Sequence, residues 1–186
     1  MLYGLTQSNQ LMTFEFIDPT IPPVCNLLDV LPMDRPHNAC IPSYLVESNG
    51  ELLMVYRCLY SSIKVNNHNH TKFYKFVTTK FVVFRLDQSS GPLKWIEVES
   101  LGDEMLFLGK NTSLSVSAKG LPGFKGNCIY FTEDVWNYFW AGWSYRHQFT
   151  DNGIFYLEDG RIETFFSGDF KCELFWVTPE IRLGDI

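Results

Sequence analysis

The sequence predicts an all-β protein. Roughly a dozen short apolar runs recur at about 8–15-residue spacing, glycine-bearing turns separate them, and no window carries a convincing 3.6-residue period. Aromatic residues make up 16% of the 186-residue chain, with sixteen Phe, which favours pleated sheets over a helical bundle. Spacing of this kind fits a sandwich, a barrel or a propeller.

In chain order, Leu2 to Leu5 and Leu11 to Ile17 read as strands around the polar turn Gln7 to Gln10. Residues 18–43 read as a long connection, because Pro19, Pro22, Pro23, Pro32, Pro36 and Pro42 fall there and proline cannot donate to a sheet ladder. One short strand is placed within it, around Leu27 to Leu31. Tyr44 to Glu47 and Leu52 to Tyr60 flank Asn49-Gly50, the dipeptide preferred where both turn residues need positive φ. Ser61 to Thr71 reads as a polar segment. In the run from Phe73 to Asp87, Phe81, Val83 and Arg85 oppose Val82, Phe84 and Leu86, so both faces are largely apolar and the strand is central.

Ser89 to Pro92 form a turn before a strand from Trp95 to Val98. Met105 to Leu108, Leu114 to Val116 and Cys128 to Phe131 are each too short for a helix and are bounded by Gly102, Gly109, Gly120, Gly123 and Gly126. Val135 to Tyr145 is an aromatic cluster ahead of an Asp151-Asn152-Gly153 turn. A hairpin follows, Ile154 to Leu157 and Arg161 to Phe166 around Glu158-Asp159-Gly160, with a last strand at Leu174 to Thr178.

Length and composition fit one domain with a real core. Formal net charge is −6, and residues 1–93 hold seven acids against seven bases while residues 94–186 hold fourteen against eight. A net acidic chain is a poor nucleic-acid binder, because phosphate neutralisation needs clustered Lys and Arg. Arg57, Lys64, Lys72, Lys75, Lys80 and Arg85 lie between Glu51 and Asp87 with no acid among them. They read as polar outer faces of strands and a basic loop. Cys25, Cys40, Cys58, Cys128 and Cys172 are scattered without a C-x-x-C pair, which points to reduced thiols in the cytoplasm or nucleus. The amino terminus has neither a secretory nor a transit pattern, and the longest apolar run, Leu52 to Tyr56, is far too short to span a bilayer.

Motifs for chemistry fail on their geometry. Gly142-Trp-Ser-Tyr-Arg146 lacks the second glycine of a nucleophile elbow, and Gly109-Lys110 lacks the upstream glycine and the hydroxyl of a phosphate loop. Glycines of the Gly120–Gly126 loop are explained by turns. His68 and His70 have no third ligand within ten residues, and His37 and His147 have no local partner, so no metal and no cofactor is expected. The carboxylate pairs Asp103-Glu104, Glu133-Asp134 and Glu158-Asp159 fall at turns or strand ends, where solvated acids are expected. No catalytic residue is assigned. The feature with functional pull is Trp136, Tyr138, Trp140, Trp143 and Tyr145, with Phe139, a charge-free cluster that either completes a core or forms a partner-binding platform.

Trp95, Trp136 and Trp176 are separated by 41 and 40 residues, close to one four-stranded propeller blade. The runs Tyr44–Arg57, Phe81–Asp87, Trp95–Ala118, Gly123–Asp134, Gly153–Glu163 and Phe175–Pro179, in this order and spacing, resemble the plant F-box-associated domain of unknown function 295, also described as a kinase-interacting β-propeller domain. Leu2 to Ile17 is similar to an earlier strand pair of the same domain. The resemblance implies a partner-binding β-propeller, joined in members to an F-box that docks on the adaptor of a cullin-type ubiquitin ligase, with a kinase as partner for some members. No F-box-like helical segment precedes the domain here, so an adaptor is not expected as a partner of this chain alone. At about 40–45 residues per blade, 186 residues make at most four. The expectation is therefore a single partial domain over 1–186, the carboxy-terminal part of an incomplete β-propeller of about three to four blades of antiparallel strands, whose open sheet edges favour self-association.

The leading reading is a non-enzymatic protein-interaction module resembling the target-recognition half of a plant F-box protein, with an unidentified protein target, no nucleic-acid partner and no membrane association. The rivals are a small hydrolase using turn-located carboxylates and a truncated copy without function. Two carboxylates, or a His with an acid, converging in a pocket would favour the enzyme.

Overall fold

Alternating side chains that are apolar on both faces need cover on both sides, and the middle of this chain obtains it by sitting between two other sheets. The computed structural model describes residues 1–6, 8–34, 36, 39–65, 72–89, 91–111, 113–133, 151–165 and 176, with backbone alone for 39–42, 63–65 and 72–75. These residues form twelve strands and no helix. A three-stranded sheet, β1-β2-β3, comprises β1 (Leu2–Leu5), β2 (Leu11–Glu15) and β3 (Val24–Leu27). A four-stranded sheet, β4-β5-β6-β7, comprises β4 (Ala39–Ser48), β5 (Glu51–Val65), β6 (Lys72–Asp87) and β7 (Lys94–Val98). A five-stranded sheet is ordered β12-β11-β10-β8-β9, from β8 (Glu104–Leu108), β9 (Ser113–Ser117), β10 (Cys128–Phe131), β11 (Gly153–Tyr156) and β12 (Ile162–Glu163).

The four-stranded sheet is the middle layer. Tyr44, Val46, Leu53, Val55, Phe81 and Val83 pack on Leu106, Leu108, Ile129, Phe131 and Phe155 of the five-stranded sheet. From the opposite face, Met54, Tyr56, Cys58, Val82 and Phe84 meet Leu5 and Met33, while Leu52 and Leu86 meet Leu11. Residues 52–59 of β5 are all buried, which is what near-continuous hydrophobicity in a central strand requires. Each Leu, Val or Ile removed from water in this way contributes about 1.5–3 kcal/mol.

An all-β chain of open sheets, none closed on itself among the described residues, is an incomplete propeller as the sequence predicts. Asn49 and Gly50 both have positive φ, 53° and 78°, and the Gly50 N–H donates to Glu47 Oε1 at 2.8 Å. Five local details differ from expectation. The short strand in the proline-rich connection is Val24–Leu27, and Pro42 is accommodated inside the edge strand β4 where its register against β5 shifts. Residues 61–65 are not loop, because β5 and β6 continue as a ribbon to Val65↔Lys72 past a bulge at Cys58/Leu59. β8 and β10 pair in parallel, Met105↔Cys128 to Leu108↔Phe131, with β9 returning on the other side of β8. Asp151 and Asn152 are buried and do not turn. Gly153 is required by a close approach, since a β-carbon there would lie 2.3 Å from the Glu163 carbonyl oxygen.

Candidate interaction surface

Inside the interface of the middle and five-stranded sheets, one charge is enclosed by apolar strands. Arg57 falls in the run Leu52 to Tyr60 and alternation turns it toward the five-stranded sheet, where it is fully buried. Its Nη2 donates to Asp151 Oδ2 at 2.9 Å, its Nε to Thr78 Oγ1 at 2.8 Å and its Nη1 to the Thr132 carbonyl at 2.9 Å. The Thr78 N–H and hydroxyl donate to the same Asp151 carboxylate at 2.9 and 2.7 Å, and the Asp151 N–H donates to Glu133 Oε2 at 3.1 Å. The guanidinium also lies 4.9 Å from the Phe131 ring centre. A buried charge so fully bonded has no donor to spare for a ligand, and the arrangement ties sheets together.

This corrects two readings of the sequence. Arg57 is a core residue, not part of a basic outer face, and Arg85 pairs with Glu51 at 2.8 Å. Glu104 and Glu133 are buried rather than solvated, with Ser115 Oγ donating to Glu104 at 2.7 Å, whereas Asp103, Glu158 and Asp159 are exposed. Trp136, Tyr138, Trp140, Trp143 and Tyr145 lie outside the described residues, as do His37, His68, His70 and His147. The rings the structure does bring together are different ones. Phe107 stacks on Tyr130 at 4.7 Å, Tyr130 on Phe165 at 5.6 Å, and Trp176 meets Phe107 edge-on while its Nε1–H donates to the Leu108 carbonyl. Burial pushes the Tyr130 phenol up to about 12 and the Cys128 thiol up to about 11, so both stay protonated at neutral pH.

Two open clefts flank the middle sheet. One, about 510 Å³, is rimmed by Glu97, Glu99 and Glu158 with Lys80, all exposed, and none of its described lining residues is a His, Cys or Ser. The other, about 390 Å³, opens between the three-stranded sheet and the middle one. Its walls include Leu27, Leu31, Met33, Met54, Tyr56 and Trp95, and among its described lining residues Asp29 is the one charged side chain. Asn9 Nδ2 donates to the Tyr56 hydroxyl across its floor at 3.3 Å. Beside it, the three-stranded sheet and its flanking chain carry most of the large apolar side chains exposed among the described residues: Leu2, Phe16, Ile17, Ile21, Val24, Leu27 and Leu31 are all between 42% and 71% exposed. Exposed apolar side chains next to a cleft with few charges are features that protein-binding surfaces share.

The KIB1-4 beta-propeller family model matches residues 1–160. This chain belongs to the KIB1-4 beta-propeller family. It is 32% identical over 147 residues to F-box protein SKIP23 of Arabidopsis thaliana, covering 73% of this chain and 34% of that protein. It is 46% identical over 55 residues to F-box/kelch-repeat protein At1g64840, covering 28% and 14%, and 28% identical over 105 residues to F-box protein At2g26160, covering 56% and 29%, both from Arabidopsis thaliana. The chain thus spans about a third or less of the length of these relatives. No solved structure matches it. As a KIB1-4 propeller segment, the chain is related through that domain to F-box proteins, which is consistent with a module that binds other proteins.

Proposed function

We propose that this chain is a protein-interaction module, acting as the target-recognition part of a plant F-box-type ubiquitin-ligase substrate receptor and having no catalytic activity of its own. Residues 1–186 act as a single partial propeller domain. The observation that carries the reading is the exposed apolar face of the three-stranded sheet beside the Met33–Met54–Tyr56–Trp95 cleft. Shape and apolar anchors, with few charges, are the means of recognition such a surface offers. The partner is a protein, and a kinase is the class the family resemblance favours. The hydrolase reading has less support: the acids of the Glu97–Glu99–Glu158 cleft are exposed to solvent, and none of its described lining residues is a His, Cys or Ser.

Among the described residues no helix is long and apolar enough to cross a membrane. With F-box proteins as relatives, the cytoplasm or nucleus is the proposed setting. The test is affinity purification of the tagged full chain from plant tissue, with bound proteins identified by mass spectrometry. We expect a defined protein, a kinase or a ligase target, that the Ile17→Asp/Leu27→Asp variant no longer retains. Identical capture by a folded variant, or capture of nothing, overturns the reading.

A further inference from the structure

The geometry points to a specific kind of partner segment: we propose that the free edge of β3 takes up an extended basic segment of a partner protein, apolar at alternate positions, as a fourth strand of the β1–β3 sheet. The proposal rests on the interaction-module reading and specifies what that module holds. Among the described residues β3 pairs with β2 alone, and all four of its residues are exposed. The Leu28 N–H donates back to the Leu11 carbonyl at 2.9 Å. Backbone N–H groups alternate sides along a strand, so those of Leu27 and Cys25 point away from β2, toward the open edge. An added strand finds donors there without disturbing the existing ladder.

Side chains decide what the strand carries. Register places Leu2 opposite Phe14, Phe14 opposite Cys25, and Met12 opposite Leu27, so these five residues share one face and form an apolar surface ending at the free edge. Leu2 and Leu27 are 59% and 57% exposed on it. Apolar residues at every second position of a docked strand continue that surface. Charge selects the alternate positions. Residues 1–34 contain Glu15, Asp18, Asp29 and Asp34, all exposed, and no Lys or Arg. Asp18 is held ionised by hydrogen bonds from the Thr20 hydroxyl and N–H, which lower its carboxyl. Lys or Arg on the incoming strand is attracted by this field. A second copy pairing β3 with β3 sets the same four acids against one another, so like-charge repulsion works against that occupant.

The test is fluorescence anisotropy of a labelled peptide of about ten residues alternating Lys and Val, titrated with the full chain. Controls are the Glu/Val counterpart and Lys/Val peptides N-methylated on either alternate set of amides. Binding of the Lys/Val peptide that weakens with added salt, and that the Glu/Val peptide matches only at roughly tenfold or more higher concentration, is the expected result. One methylated set loses binding and the other retains it. Cys25→Pro, which removes an edge N–H, and Glu15→Lys/Asp29→Lys each weaken binding by roughly tenfold while circular dichroism is unchanged. Equal binding of both peptides, or binding indifferent to both methylation patterns, overturns the proposal. So does a concentration-dependent dimer in sedimentation that Cys25→Pro dissolves, because a second copy then occupies the edge. Should a protein captured from plant tissue be retained by Cys25→Pro and lost by Ile17→Asp/Leu27→Asp, this inference fails while the interaction-module reading stands.

Discussion

The three-stranded sheet β1–β3 and the middle sheet β4–β7 are built from the same alternation of side chains, yet one is covered on both faces and the other is not. In the middle sheet the alternation supplies two apolar faces, and each finds a neighbour. In the three-stranded sheet Leu11 and Thr13 are buried against the core, while Leu2, Leu27 and the chain from Phe16 to Ile21 keep apolar surface in water. The charges divide in the same way. The middle sheet encloses Arg57 and bonds it to groups on β6 and the chain leading to β11, so that charge cements a packed interface. Around the three-stranded sheet four acids remain exposed and set the sign of an open surface. The middle sheet is buried on both faces, whereas the three-stranded sheet is buried on one and keeps the other open beside a same-sign rim.

The largest expected effect tests the enclosed half of that comparison. Asp151→Ala leaves the Arg57 guanidinium buried without its counter-ion and the Thr78 N–H without its acceptor, so stability falls by about 3–5 kcal/mol in urea unfolding. Replacing both partners, Arg57→Met with Asp151→Leu, recovers part of the loss. It stops short of the native value by about 1–3 kcal/mol because Thr78 still lacks an acceptor. A single-variant loss below about 1 kcal/mol would show that the clasp does not hold the two sheets together.

A smaller effect separates the regions by thiol chemistry. Cys58 and Cys128 are buried and Cys25 is exposed on β3. A maleimide at neutral pH followed by peptide mapping labels Cys25 first, and Cys58 and Cys128 only after unfolding. Burial raises the Cys128 thiol from its ordinary 9.0 to about 11. With the folded value above the unfolded one, the contribution to stability is fully present below pH 9 and is lost as pH climbs through about 11. Melting temperature should therefore decline over that window, and less steeply in Cys128→Ala. An unchanged slope in the variant rules out this thiol as the source.

Much of this was legible in the sequence because local rules and tertiary environment agree there. Asn49-Gly50 needs positive φ and obtains it, and the doubly apolar run at 81–86 is the central strand it reads as. What escaped is governed by contacts distant in sequence. Asp151-Asn152-Gly153 has turn composition, but Arg57, ninety-four residues away, draws Asp151 inside. A signal was present: one arginine in the middle of Leu-Leu-Met-Val-Tyr-Arg-Cys-Leu-Tyr demands a buried acceptor, and sequence alone could not say which acid supplies it. The parallel β8–β10 pair was hidden for a related reason, since spacing between strands does not encode which edge the chain returns to. The position of β3 was obscured by Pro22 and Pro23, which cannot donate to a ladder, yet the strand begins directly after them at Val24.

The smallest stability effect carries the most weight for function. Leu27 is 57% exposed and Ile17 71%, so replacing either with Asp removes little packing, and the change should stay within about 0.5 kcal/mol in urea unfolding. A surface kept apolar without any contribution to folding invites another explanation, and partner binding supplies it. Leu27→Asp should therefore leave the melting curve in place while abolishing retention of a captured protein, with Asp103→Asn, an exposed acid in the turn before β8, as the variant that changes neither. If Leu27→Asp lowers stability by several kcal/mol instead, that side chain belongs to a packed interface, and the contrast between the covered sheet and the open one dissolves.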